Sequence, residues 1–335
     1  MKSLRLFNVK DLRLGDDQIP VPLDDEILVK VTAVGICGSD LLWFSEATTG
    51  DGGISKPFIL GHEFGGIVES GETKGTRVTV DPHVPCNECE FCLDGNPNLC
   101  PEHHFAGQAP QDGALRELIA WPRHLVHSIP ESFSDEDAAM LEPLGVAIHT
   151  IDLGKIRCDM TVGVYGCGPI GLMVIQLAKL AGATTIMATD QLPHRLEAAE
   201  KFGATQTILA ERTEEITEIL SATQDRGLDV TFEVAGDKDA VDVAIETCKP
   251  GGRVVLCGIP SSNVISFNAS TARRKGLSIL MVRRMKYTFP RAIELVKSGQ
   301  VDIRSLVSHK YPLEKFEEAF EVAQRRKGLK VIINP

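Results

Sequence analysis

The segment CNECEFCLDGNPNLC, residues 86–100, places Cys86, Cys89, Cys92 and Cys100 in one loop-sized stretch. Their spacing, C-x2-C-x2-C-x7-C, suits four thiolates closing a tetrahedral zinc shell. A closed shell leaves no position for a substrate, so this zinc is expected to be structural. Pro85, Asn87, Gly95, Asn96 and Pro97 are residues of a loop folded around an ion. A second set of donors is scattered: Cys37 in GICGSD, His62 and Glu63 in LGHEF, and Glu142 in LEPLGVAIH. One thiolate, one imidazole and one carboxylate can make a three-ligand zinc site with the fourth position left for water or substrate. Such an open zinc lowers the pKa of its water to about 7 and polarises a bound oxygen. Spacing alone equally admits a buried cysteine and an ordinary loop histidine.

The third constellation is VGVYGCGPIGLMVIQLAK, where Gly166, Gly168 and Gly171 stand in G-x-G-x-x-G spacing around Pro169 and Ile170. The pattern follows a predicted strand and opens a predicted helix, the context a dinucleotide site requires. Gly166 permits the tight turn, Gly168 a close approach to pyrophosphate, and Gly171 close packing of helix on strand. The phosphates would lie against the helix N-terminus. Asp190 ends the next predicted strand, nineteen residues past Gly171. A carboxylate there can accept from a ribose 2′-hydroxyl and would repel a 2′-phosphate, which favours NAD over NADP. Arg195 stands close by and would offset that preference in part.

These residues need a scaffold, and the chain texture indicates one. The first third has short apolar runs between turns, with EILVKVTAVGICGSD, GGIVES and TRVTVDP as strands, a β-rich unit. Near residue 134 the texture changes: Ser134 can cap a helix whose first turn carries Asp135, Glu136 and Asp137. From Thr161 strands and helices alternate, which means a parallel sheet covered on both faces. LSILMV, after a loop, is its sixth strand. The tail reads as two helices, FPRAIELVKSG and LEKFEEAFEVAQRRKG, and a strand, KVIINP.

The chain has 335 residues and a net charge of −11, which disfavours nucleic acid and anionic membranes as partners. No signal peptide or membrane-spanning segment is read, so the expected compartment is the cytoplasm, where thiols stay reduced and a cysteine cluster favours metal. Cys158, Cys167, Cys248 and Cys257 read as packing residues, and His103, His104, His124, His127 and His149 as loop or helix residues.

Taken together, GICGSD, GHEFGG, the four-cysteine loop with its NLCP, EPLGVAIH, YGCGPIG, FEVAG and GGRVVLCGIP resemble, in order and over nearly the whole chain, the zinc-dependent medium-chain dehydrogenases. Within them the chain is similar to the sorbitol and xylitol dehydrogenase branch. The resemblance implies an α/β fold: a Rossmann doubly wound parallel sheet at 148–283, and a chaperonin-10-like (GroES-like) β-rich catalytic domain formed by 1–147 and 284–335. It implies an active site in the cleft between the domains. It implies two zinc ions per chain and NAD, a polyol or related secondary alcohol as substrate, and a homo-oligomer, dimer or tetramer, with LSILMV as a candidate strand between subunits.

Carried over residue by residue, Cys37, His62 and Glu63 match the catalytic zinc ligands, with Glu142 near the metal, either coordinating or holding its water. Ser39 is implied to bind substrate or relay its proton, and Arg284 to bind a polyhydroxylated substrate. Two departures, Met285 for an aromatic residue and the run Leu41, Leu42, Trp43, Phe44 after CGSD, suggest a more apolar pocket than sorbitol needs. Thr76 stands where an aspartate is usual, in a shortened loop. Family alternatives are L-threonine 3-dehydrogenase and a sugar 1-dehydrogenase; the alternative from another class is a non-catalytic NAD-binding relative.

Overall fold

A computed structural model describes residues 1–48, 53–211, 214–262 and 264–335. The chain divides into two compact units, Met1–Pro143 with Phe289–Pro335, and Leu144–Thr288.

The first unit is built on Glu26–Gly35, whose Ile27, Val29, Val31 and Ala33 alternate inward with the period of a pleated strand. It is central to a seven-stranded sheet in the order Val126–Ser128, Arg77–Val80, Glu63–Val68, Glu26–Gly35, Lys330–Asn334 and Val307–Pro312, with Leu118–Pro122 also paired to Glu26–Gly35. Early and late parts of the chain therefore share one sheet. Gly35 is the pivot, in register with Glu63 on one side and Ile332 on the other. A smaller sheet joins Asp11–Asp16, Lys2–Asn8 and Phe58–Ile59. Leu4, Leu6, Phe58, Ile59, Phe64 and Ile119 fill a common core with the large sheet.

Two segments of this unit differ from the expectation. The extended run through GICGSD ends at Gly35, and a helix Gly38–Glu46 starts after Cys37. Its Trp43 is buried edge-on against Phe58, and Phe44 packs on Phe320. These two aromatic residues therefore serve the core, and they give no reading of a substrate pocket. The tail holds a second strand, Val307–Pro312, which alternates half-buried and exposed residues and lacks an apolar run to announce it.

The second unit carries a six-stranded parallel sheet in the order Gln206–Leu209, Thr185–Asp190, Thr161–Tyr165, Leu228–Glu233, Cys248–Leu256 and Ser278–Met281. Numbered along the chain this is 3-2-1-4-5-6, the doubly wound order, whose reversal falls between Thr161–Tyr165 and Leu228–Glu233. Leu228–Glu233 is buried at every residue, as a parallel strand covered on both faces should be. Helix Pro169–Leu180 is just as apolar, with Leu172, Met173, Val174, Ile175 and Leu177 buried. A short helix, Ala269–Lys275, occupies a segment expected as loop; Asn268 caps it by accepting from Thr271 N.

Helix Asp135–Gly154 opens with a reciprocal cap: Asp137 N donates to Ser134 Oγ and Ser134 N to Asp137 Oδ2. Cys158 is exposed, so it is not the packing residue expected, whereas Cys167 and Cys248 are buried. His104 and His127 lie on strands rather than loops, and His127 stacks on Phe289 at 4.9 Å. Among the described residues no helix is long and apolar enough to cross a membrane.

Candidate metal centres and cofactor site

The four cysteines of the 86–100 segment converge. Cys89 caps the short helix Glu90–Leu93, and Cys100 closes the turn Pro97–Leu99. Their sulfurs lie 3.5 Å apart for Cys89–Cys92 and Cys86–Cys100, and 3.9 Å for Cys86–Cys92 and Cys89–Cys100. Four sulfurs about 2.3 Å from one zinc would be roughly 3.8 Å apart at the edges of a tetrahedron. No disulfide joins these cysteines. Backbone N–H groups of Glu88 and Cys89 bring the Cys86 thiol down to about 7, while burial pushes Cys92 up to about 12. The donor set fits zinc.

Cys37, His62 and Glu63 form the other group, each offering one ligand atom within 4.8 Å of the others. Three local features hold them. Cys37 sits at the N-cap of Gly38–Glu46, with its N–H donated to Asp40 Oδ2 at 2.9 Å. Asp40 is buried; its Oδ1 accepts from Gly61 N at 3.2 Å and lies 3.6 Å from His62 Nδ1, tying the two halves of the group together. Burial works against a charged His62, yet Asp40 and Cys37 hold its pKa well above the ordinary value.

Glu63 opens the strand beside Gly35. A Cβ on Gly35 would lie 2.1 Å from Glu63 Oε2, so only glycine leaves room for this carboxylate. Lys330 Nζ donates to Glu63 Oε1 at 2.8 Å, to Glu63 Oε2 at 2.5 Å and to Ile36 O at 3.1 Å. Burial disfavours a charged lysine, but Glu63 and Cys37 prevail and raise its pKa above the ordinary value.

Glu142 stands outside the three-residue group. It is buried, and burial pushes it up to about 8; His62 and Lys330 oppose that shift, and Glu63 and Asp81 add to it. Ser39 lies in the first turn of Gly38–Glu46, partly buried. Sequence reasoning missed Asp40 and Lys330. The signal for Asp40 was its place three residues into a helix start. For Lys330 it was a lone cation opening the apolar strand KVIIN.

In the second unit the glycine loop has the form expected. Gly166 has φ +104°, and a Cβ there would crowd Ala235 N at 2.9 Å. A Cβ on Gly171 would lie 1.9 Å from Gly166 O, so helix and strand touch directly. Gly168 caps Pro169–Leu180 with Pro169 in the first turn and Ile170 after it; near its missing Cβ stands the Arg195 guanidinium, at 3.6 Å. That open approach beside unpaired first-turn N–H groups fits a pyrophosphate. Asp190 ends its strand with Oδ2 accepting from Cys167 N at 2.8 Å and Oδ1 from Leu192 N at 2.9 Å; Arg195 Nη1 is 3.8 Å from Oδ2. Two acceptor positions of the carboxylate remain for hydroxyls. Arg284 lies in this unit, partly buried, with φ +54°, and Met285 beside it is buried.

Residues 23–131 match the alcohol dehydrogenase GroES-like domain, and residues 169–298 match the zinc-binding dehydrogenases. Over its whole length the chain is 39% identical to a sorbitol dehydrogenase of Bacillus subtilis (strain 168), covering 97% of that protein. The chain belongs to the zinc-dependent medium-chain dehydrogenases. It is an enzyme of that family's polyol dehydrogenase branch, an α/β protein with a GroES-like catalytic domain and a Rossmann sheet. Two solved structures superpose on all of it. One is described as a zinc-binding dehydrogenase from Sinorhizobium meliloti 1021 bound to NADP, with TM-score 0.90 and 30% identity over 99% of that chain. The other is described as a short chain alcohol dehydrogenase from Escherichia coli CFT073 complexed with NADH, with TM-score 0.91 and 29% identity over 99% of that chain.

Proposed function

We propose that this zinc alcohol dehydrogenase oxidises a secondary hydroxyl of a polyol, with NAD as hydride acceptor. The observation that carries the reading is the donor triad Cys37, His62 and Glu63, with a carboxylate as third member, in a chain 39% identical to a sorbitol dehydrogenase. These three residues would hold the working zinc, and Cys86, Cys89, Cys92 and Cys100 a structural one. When bound, zinc supplies a Lewis acid for the substrate oxygen, and the nicotinamide takes up the hydride.

The chain's own residues do the rest. Ser39, two residues after Cys37, offers a hydroxyl to orient the substrate oxygen and relay its proton. Glu142, a buried carboxyl whose titration senses His62 and Glu63, is the second group beside the proton's route. Arg284 hydrogen-bonds further hydroxyls of the polyol. Asp190 accepts from the ribose hydroxyls and repels a 2′-phosphate, while Arg195 and the first turn at Gly168, Pro169, Ile170 and Gly171 face the pyrophosphate. Each turnover releases one proton from the hydroxyl and moves one hydride from its carbon.

The catalytic and nucleotide-binding domains are read as 1–147 with 284–335, and 148–283, bounds within five residues of the two compact units, with Arg284 on the nucleotide-binding side of the boundary. Free thiols in the four-cysteine loop suit the cytoplasm. Ser278–Met281, at the sheet edge with Met281 exposed, suits pairing with a second copy in a dimer or tetramer.

The test is NADH formation with NAD and a panel of sorbitol, xylitol, galactitol, L-threonine, glucose and a simple secondary alcohol. Preference for a polyol is expected. Turnover of threonine alone would replace the substrate class and leave the zinc chemistry in place.

A further inference from the structure

Glu63 is committed twice. One of its oxygens lies within 4.8 Å of the donor atoms of Cys37 and His62, yet both oxygens accept from Lys330 Nζ, at 2.8 and 2.5 Å. Ile36 O takes the remaining ammonium proton at 3.1 Å, so the three donors of Lys330 are all used. The pair is nearly sealed from water, with 5% of the Lys330 side chain and 2% of Glu63 exposed. Burying such a pair costs desolvation that apolar residues in place of both partners would avoid, so packing alone does not account for it. The carboxylate rests against Gly35 and cannot back away from its partners on that side.

We propose that Glu63 is a shared ligand, its charge divided between the metal of the three-residue site and Lys330, and that Lys330 thereby sets the metal affinity of that site. This rests on the reading of Cys37, His62 and Glu63 as metal ligands. An ammonium on the same carboxylate withdraws electron density from it and repels a dication across a short, poorly screened distance. It holds the affinity below what a thiolate, an imidazole and an unshared carboxylate would give. Because Lys330 Nζ donates to both Glu63 oxygens, a metal at this site would share whichever oxygen it took with the ammonium. The four-cysteine site is built differently: its sulfurs face one another and accept from the backbone N–H groups of Cys86 and Cys89.

Lys330→Met in the full chain, loaded with two zinc ions, separates these effects, with chelator competition as the readout and the four-cysteine zinc as internal reference. Outer partners of metal ligands shift affinity by about 10- to 100-fold. Here the partner is a cation, so the expected change is zinc held at least about tenfold more tightly at the three-residue site, with the reference unchanged. Unchanged or weaker binding overturns the proposal. Should the variant fail to fold, the crystal structure of the zinc-loaded wild-type chain decides. Lys330 Nζ is expected to remain on the Glu63 carboxylate, and loss of that contact overturns the proposal. The ligand reading fails separately, if Cys37→Ser retains both zinc ions.

Discussion

Gly35 and Glu63 face each other across two central strands, and the Glu63 carboxylate occupies the volume that a side chain at Gly35 would need. A single methyl group can therefore test the site without substituting any of its proposed ligands. Gly35→Ala should displace Glu63 and its contact with Lys330. The expected outcome is loss of one zinc equivalent per chain and a drop of about 10- to 100-fold in the rate of NADH formation, the scale of disturbed metal-ligand support. Metal analysis with activity on the same sample checks this; two retained zinc ions at full rate would refute it.

The Cys86–Cys100 loop should respond in the opposite sense. Cys100 is buried, and its sulfur closes the tetrahedron against Cys86 and Cys89. Cys100→Ser is expected to release the structural zinc, lower Tm and open the loop to proteases, because binding energy at a closed site is folding energy. The surviving active fraction should keep the wild-type substrate KM. Limited proteolysis beside a KM measurement separates the two effects.

Asp190 should govern the cofactor. Its carboxylate holds the glycine loop through Cys167 N and the following turn through Leu192 N, besides the role proposed on the ribose. Asp190→Ala strands the buried Cys167 N–H at ~1–3 kcal/mol and frees the part-buried Leu192 N–H. KM for NAD is expected to rise about 10- to 100-fold, with kcat reduced far less. Relief of the repulsion toward a 2′-phosphate should narrow the preference for NAD over NADP. Kinetics with both cofactors measure it, and an unchanged NAD/NADP ratio would remove Asp190 from selectivity.

Acid stability has a local source in Asp229. Burial alone would raise its pKa, but Arg226, Lys249 and Thr161 hold it well below the ordinary carboxylate value. A depressed folded-state pKa gives stability that is complete above the unfolded value, about 3.9, and fades as pH falls below it. Asp229→Asn should therefore cost ~1–3 kcal/mol at neutral pH. The gap in stability between wild type and variant should shrink as the medium becomes more acid than about pH 4. Denaturation at several pH values checks this, and a gap that widens toward acid would contradict it.

The Rossmann half was legible because its strands and helices carry strong local patterns, such as the buried run Leu228–Glu233 and the apolar helix Pro169–Leu180. Elements without such a pattern escaped. Ala269–Lys275 is short and mostly polar, and Val307–Pro312 alternates around His309 and Lys310. Trp43 and Phe44 misled because apolar residues after a ligand motif suggest a pocket, while helical spacing turns Trp43 into the core. The donors Cys37, His62 and Glu63 could be named from motifs. Lys330 could not: a lone cation opening KVIIN is odd, but it does not name Glu63, 267 residues away, as its partner.

That separation bears on how the enzyme is made. Translation delivers Glu63 early and Lys330 only after all of Leu144–Thr288 has emerged, so the nucleotide-binding unit can fold on the ribosome while the seven-stranded sheet still lacks Lys330–Asn334. Pairing across such a span closes slowly. During synthesis, Glu63 waits for its counter-charge, and the proposed three-residue metal site is among the last parts of the molecule to be completed.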